Sequence, residues 1–526
     1  MTATPPPPRV AFDQLLIRTY WNYRHHPVIV LPTMLQTALQ VVAQSLFIIP
    51  ALITLLALLR SGLVGRIVLA LRDQRLDELF ELVRSPGFLG PMVVLALVAG
   101  MILFLVSVVG GGVINAGEFG SYAVIVEGAS PSTATVFLTA SRLWRRLIVT
   151  TLVHWLIVWG PLSAGLALLA VSLLNLLSAG AEGFVLLLLA GLIVLLAAAA
   201  TVVLALFGVY AVPAAVLEGR TGLAAYRRSF QIASRHLGVT LTYGGLRAAS
   251  YAAIFGVAFL ADSLGSPVSS LASVLVVLLL GPLLHLTKTW LFHHLAVSGA
   301  PVEYDAGPSV FADLQKAVRN ETIPLLRRGL RELMDYAAAW RNIGFHGVAV
   351  AAFLFGIVAG TGLAQGGLAD VLQEFGVGQG NPAFSGPLPV ALGIDLFFHN
   401  WEVAMAVALA GIGFVAPTVL SLLFNGVVLG VLAQVIPGPA MFLSAILPHG
   451  IIELPTFLIA GSLGVKLGVF ALRAALHRRI GEDARLHELA RQAVWVILGL
   501  APLFLLAGLI EALVTPEIMK LFGWRF

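Results

Sequence analysis

Residues 447–468, LPHGIIELPTFLIAGSLGVKLG, place a histidine, a glutamate and a lysine in a run otherwise apolar enough for lipid. Ionisable groups are costly at bilayer depth, so they persist there when they are buried in protein or used. His449 and Glu453 stand four residues apart, which puts them on one face of a helix within reach of each other. Three chemistries fit the pair. It is a hydrogen-bonded contact that closes helix packing, with Gly450 allowing close approach, or a proton or ion site, or part of a metal site. Zinc would need at least two further ligands, and His399, His346 and Glu402 are candidates if the fold brings them close. A zinc-protease helix requires two histidines four apart with a glutamate after the first, whereas glycine follows His449. No Gly-x-Ser-x-Gly elbow or phosphate-binding Gly-x-x-x-x-Gly-Lys-Ser/Thr segment is present. No catalytic residue, cofactor or resident metal is assigned, and the chain is expected not to be an enzyme.

Other polar or small residues in the second half belong with this pair. Asn400 stands in an aromatic segment, FFHNWE. Asn425-Gly426 is expected to mark a turn or helix break. Glu511 lies one turn from the end of the last long apolar run and pairs with His449 or Lys466 if those helices adjoin. Lys466 otherwise snorkels to the interface. Gly461, Gly464 and Gly468, with Ala460, form a small-residue stripe that implies tight helix packing or a self-association face.

These residues sit in a chain of 526 residues that is 59% hydrophobic and 11% charged. Apolar runs long enough to cross a hydrocarbon core roughly 30 Å thick recur throughout. The fold class is therefore all-α, a polytopic integral membrane protein with about eleven passes, near 28–59, 88–114, 147–178, 183–217, 237–263, 269–298, 342–366, 402–424, 425–447, 450–472 and 493–514. Proline at 437 and 439 makes the ninth a candidate re-entrant segment. A transmembrane β-barrel is excluded, because the runs do not alternate apolar and polar residues. Cysteine is absent, which removes disulfides and thiolate chemistry. The net charge of +5 resides in loop arginines and forms no nucleic-acid footprint. The proline-rich start, followed by a basic and aromatic segment, does not read as a cleavable signal peptide.

Lysine and arginine placement predicts a cytoplasmic N-terminus and an external C-terminus. Residues 63–83 read as an amphipathic interfacial helix. An internal repeat relates 122–152 to 210–242: Tyr-Ala-Val, then Glu-Gly (127–128 and 218–219), then an amphipathic basic helix, then a threonine-containing apolar helix. Inverted or parallel repeats often underlie transporter folds, although a duplicated hairpin is also a simple way to grow a membrane protein. In these elbows Arg145, Arg146, Arg227 and Arg228 are expected among anionic headgroups, with Trp144, Tyr226 and Phe230 at headgroup level.

The order of elements in the second half resembles the stage II sporulation protein M family. Those elements are the aromatic-asparagine segment, Asn-Gly, His-Gly-x-x-Glu-Leu, Ala-Gly with Gly-x-x-x-Gly, and a closing Glu-Ala and Thr-Pro. The likeness covers about 330–517. Residues 1–298 resemble a loosely defined group of six-helix membrane domains with Glu-Gly repeats, so the expected organisation is 1–298, a connector at 299–341, and 342–526. The resemblance implies a prokaryotic cell-membrane protein of envelope assembly or membrane remodelling, a non-enzymatic scaffold that shapes bilayer, forms homo-oligomers and recruits other envelope membrane proteins, as in engulfment during sporulation. The alternative is a transporter, channel or permease subunit with a polar path near His449 and Glu453.

Overall fold

Backbone N–H and C=O groups find no partners in lipid, so a chain this apolar must satisfy them within helices. The computed structural model describes residues 11–263, 268–298, 309–374, 389–413, 415–477 and 482–524, and every regular element among them is helical. In chain order these are α1 (Phe12–His25), α2 (Leu31–Arg60), α3 (Leu63–Arg72), α4 (Leu76–Arg84), α5 (Pro86–Leu105), α6 (Gly111–Val126), α7 (Thr133–Val158), α8 (Gly160–Phe207), α9 (Ala211–Leu217), α10 (Leu223–Arg235) and α11 (Leu237–Ser263). They continue as α12 (Ser269–Leu275), α13 (Gly281–His293), α14 (Val310–Asn320), α15 (Thr322–Ala338), α16 (Ile343–Leu363), α17 (Ala369–Glu374), α18 (Pro389–Ala410), α19 (Val415–Val435), α20 (Pro439–His477), α21 (Glu482–Leu513) and α22 (Thr515–Leu521).

Ten helical stretches are long and apolar enough to cross a membrane, or up to eleven if the pair Thr133–Val158 and Gly160–Leu173, bent by 49°, is one span. Large apolar side chains such as Leu97, Val202 and Phe259 stand out from the fold, about 70% exposed (69%, 70% and 71%). Such surfaces are untenable in water and ordinary against acyl chains. The protein is a multi-pass membrane protein.

Span boundaries differ from the hydropathy reading in three places. The run at 147–178 is broken between Val158 and Gly160, where the helix axis bends by 49°, and beyond it Gly165 lies against Val194 and Ala197. In the second half the breaks fall at 411–413 and 436–438, so Asn425-Gly426 lies inside α19 and makes no turn. Residues 63–83 form two helices, α3 and α4, separated where Gln74 takes φ +54° and Arg75 pairs with both Asp73 and Glu78. The glycine-rich segment 375–388 and the connector 299–308 lie outside the described residues.

The chain divides into two compact units that interleave in sequence: 1–33, 105–252 and 279–310 form one, and 34–104, 253–278 and 311–526 the other. The second unit thus draws on parts of the first half as well as on the C-terminal region. Within it α12 docks on α18, where the Ser270 backbone N–H and hydroxyl donate to the Asp395 carboxylate at 2.7 and 3.2 Å, and the Ser273 hydroxyl donates to Glu402 Oε1 at 3.0 Å. Apolar periodicity carries no sign of such polar docking, which is why the sequence boundary at 299–341 separates these residues.

Glycine explains how the C-terminal helices of the second unit meet. A Cβ on Gly356 or Gly360 of α16 would strike the carbonyl of Leu423 or Val427 on α19. Reciprocally, Gly426 and Gly430 of α19 face the Phe353 and Ile357 carbonyls of α16. Two Gly-x-x-x-Gly stripes therefore interlock, backbone on backbone, as small residues allow in membranes. Gly329 meets Gly499, Gly393 meets Gly508, and Gly411 meets Gly464 in the same way. Replacement of Gly356 or Gly426 by leucine should cost about 3 kcal/mol or prevent folding, since the obstructing atoms are backbone. Gly347→Ala on α16 meets open space and should stay within about 0.5 kcal/mol of wild type. Thermal unfolding in detergent, followed by tryptophan fluorescence, checks both.

Candidate functional site

α20 carries His449 and Glu453 on one face, as their four-residue spacing requires, and α21 runs back antiparallel beside it. Glu511, near the end of α21, therefore comes level with them. One ligand atom each from His449, Glu453 and Glu511 lie within 4.8 Å of one another. Pro448 and Pro455 bracket the pair inside α20; each lacks an N–H, so the helix loses two rungs of its hydrogen-bond ladder there. His449 is 8% exposed, and its Nδ1 lies 3.4 Å from Thr515 Oγ1. That hydroxyl in turn donates to the Ile510 carbonyl at 3.2 Å. Thr515 and Pro516 open α22, so the closing Thr-Pro element abuts the histidine.

The pair is not a one-to-one hydrogen bond. His449 engages Thr515, and Glu453 Oε2 is buried with no hydrogen-bond partner among the described residues. Of the two partners open to Glu511, the structure brings His449 close. Lys466 instead donates to Asn342 Oδ1 at 3.0 Å and lies 5.2 Å from the Tyr336 ring centroid. The further metal ligands expected from sequence are elsewhere. His346 packs edge-on against Tyr336, and Glu402 accepts from Ser273. His399 reaches only the adjoining cavity. The third member is Glu511, which the sequence reading treated as a pairing partner and not as a ligand.

Glu453 also lines a cavity of about 190 Å³, together with His399, Asn400, Asn425, Phe353 and Phe504 from the four surrounding helices. Asn400 and Asn425 thus join Glu453 in one space, while the Asn425 side chain also donates to the Ser421 carbonyl at 2.8 Å. Gly461 faces Leu422 of α19 and Gly464 faces Val407 and Thr418; Gly468 is buried. At the first two positions the stripe meets its own chain.

A second polar cluster, in the first unit, escaped the sequence reading. Glu118 of α6, 3% exposed, accepts from the Tyr122 hydroxyl at 2.9 Å and pairs with His285 Nδ1 of α13 at 2.7 Å. Lys288, 8% exposed, lies over the Phe119 ring. The available signal was a lone glutamate in the glycine-rich end of one apolar run and a histidine and lysine three apart in another. Every acid of this cluster is bonded, which fits a structural tie.

The elbow arginines divide into two kinds. Arg145 and Arg227 are exposed. Arg146 donates to the Ala215 carbonyl at 3.2 Å, so an arginine of the first repeat holds the end of α9 in the second. The Gly222 backbone N–H donates to Thr150 Oγ1 at 3.0 Å across the same junction. Gly128 and Gly219, the glycines of the two Glu-Gly pairs, take φ +84° and +71°, the left-handed region glycine enters without strain. Tyr226 is buried, its hydroxyl donating to the Leu204 carbonyl. Trp144 and Phe230 are exposed.

Fold and site together define a polytopic α-helical membrane protein with a partly buried His–Glu–Glu cluster in its C-terminal helices. Residues 349–516 match the family model described as Stage II sporulation protein M, a span that contains His449, Glu453, Glu511 and Thr515. No curated protein and no solved structure matches the chain.

Glu218 supports a pH prediction. Burial acts to raise its carboxyl, and the hydrogen bonds and charges of Arg228 and Arg220 outweigh this and hold it below the ordinary range. A depressed carboxylate stabilises fully above its unfolded value, about pH 4.3, and that contribution fades as pH falls through the folded value. Glu218→Gln should therefore lower the unfolding midpoint at pH 7, and the gap to wild type should close by about pH 3.

Proposed function

We propose that the protein is a non-enzymatic membrane scaffold of envelope assembly or membrane remodelling, acting as a homo-oligomer that recruits other envelope membrane proteins. The observation that carries this reading is the tightness of the C-terminal bundle. Its helices meet backbone to backbone through paired glycines, and the cavity beside Glu453, about 190 Å³, falls below the roughly 300–1,000 Å³ of small-molecule sites. A rigid body of this kind suits presentation of surfaces. The match of 349–516 to the sporulation family supports the same role. The exposed Arg145 and Arg227, with Trp144 and Phe230, support elbows at an anionic bilayer surface, with the N-terminus cytoplasmic and the C-terminus outside.

A second reading rests on a specific observation: Glu453, Asn400 and Asn425 line a space large enough for several waters. A permease or channel subunit would pass protons or small ions there. Reconstitution in liposomes separates the two. The scaffold reading expects an oligomer by mass photometry and no proton or cation flux above that of protein-free vesicles. A flux that Glu453→Gln abolishes, with the oligomer intact, would overturn it in favour of the second.

A further inference from the structure

We infer that His449, Glu453 and Glu511 form a binding site for a divalent transition-metal ion of the Zn²⁺ class. The ligand set is one imidazole nitrogen and two carboxylates, all within 4.8 Å. Around an ion with bonds of about 2.1 Å, neighbouring ligand atoms stand about 3.4 Å apart in a tetrahedron, so small side-chain rotations close the site. Imidazole with carboxylate suits Zn²⁺, whereas Mg²⁺ and Ca²⁺ prefer all-oxygen sites.

The surroundings favour an ion over a packing contact. Glu453 Oε2 is buried and unpartnered, and the Glu511 carboxyl lies within 4.8 Å of the Glu453 and His449 ligand atoms. Two carboxyls together in an apolar bundle are either held protonated or balanced by a positive charge. A neutral imidazole does not supply it. Among the described residues the closest candidate cation on α20, Lys466, is committed to Asn342 and Tyr336. A divalent ion would neutralise both acids and give Glu453 Oε2 its missing partner.

Second-layer contacts are present as well. Ligating histidines are commonly oriented by a bond to the other ring nitrogen or a nearby oxygen, and Thr515 Oγ1, itself anchored on the Ile510 carbonyl, stands beside the His449 ring. Three protein ligands leave a fourth position, which water in the cavity that Glu453 lines with His399, Asn400 and Asn425 can fill. Because the ligands come from α20 and α21, the ion would clamp this hairpin near the start of α22. The inference is independent of whether the bundle scaffolds or conducts.

The test uses the full chain in detergent, with any affinity tag removed, stripped with chelator and then titrated with Zn²⁺ alone. One tight equivalent per chain is expected, with a raised unfolding midpoint, and Mg²⁺ at the same concentration should give neither. Co²⁺ loading should produce the visible absorption of a low-symmetry site. Glu511→Gln and Glu453→Gln should each weaken Zn²⁺ binding at least about 100-fold and abolish the Co²⁺ spectrum. Glu517→Gln, an exposed acid paired with Lys520, should leave both intact. Failure of the wild-type protein to retain an equivalent, or retention unchanged in both glutamine variants, overturns the site. If either variant does not fold, Glu511→Asp, which keeps the charge and shortens the reach, serves in its place, and binding at wild-type strength with an unchanged Co²⁺ spectrum counts against the site.

Discussion

Close contact between helix backbones is the constraint from which the C-terminal region follows. In lipid there is no hydrophobic force to drive one apolar helix onto another, so association relies on dispersion and short polar contacts that bulky side chains would prevent. Here glycine faces carbonyl at α16–α19, α15–α21, α18–α21 and at 411–464. Helices held at that separation have little freedom to slide, and their polar side chains are fixed in the positions the glycines dictate. The proximity of Glu511 to His449 and Glu453 is one result, and the small cavity beside Glu453 is another.

The same constraint explains the contrast between the two polar clusters. In the first unit, Glu118 finds Tyr122 and His285, and the burial of its charge is offset by bonds within the protein. In the second, the bundle brings two acids together and leaves one oxygen without a partner. A bonded cluster accounts for itself as a tie between helices. An unbalanced one calls for something more, and a buried oxygen lacking its bond costs enough that proteins seldom retain it idle.

In the first unit, the two copies of the internal repeat form a joint. Arg146 and Thr150 of the first copy hold α9 and Gly222 of the second, and Glu218 gathers Arg220 and Arg228. Duplicated segments here brace each other, while Arg145 and Arg227 remain outward. Repeat architecture thus supplies both exposed charge and a rigid elbow.

Composition and apolar run length by themselves determined that the chain is an all-helical membrane protein, because lipid offers the backbone no alternative. The order of Asn400, Asn425-Gly426, His449, Glu453 and Glu511 likewise made the likeness of the C-terminal region to the sporulation family legible, since that order is a property of the chain. The spacing of His449 and Glu453 placed them on one helical face. Tertiary structure decided the rest. Asn425-Gly426 reads as a turn by local propensity, yet Gly426 is needed where α19 presses on the α16 backbone, and packing overrides the turn preference. His399, His346 and Glu402 were plausible companions for His449 by residue type alone. Glu511 takes that place because α21 doubles back on α20, a contact between positions nearly sixty residues apart that no local pattern records. Tyr226 and Lys466 took their partners for the same reason: Leu204 O and Asn342 stand beside them only once distant helices have met.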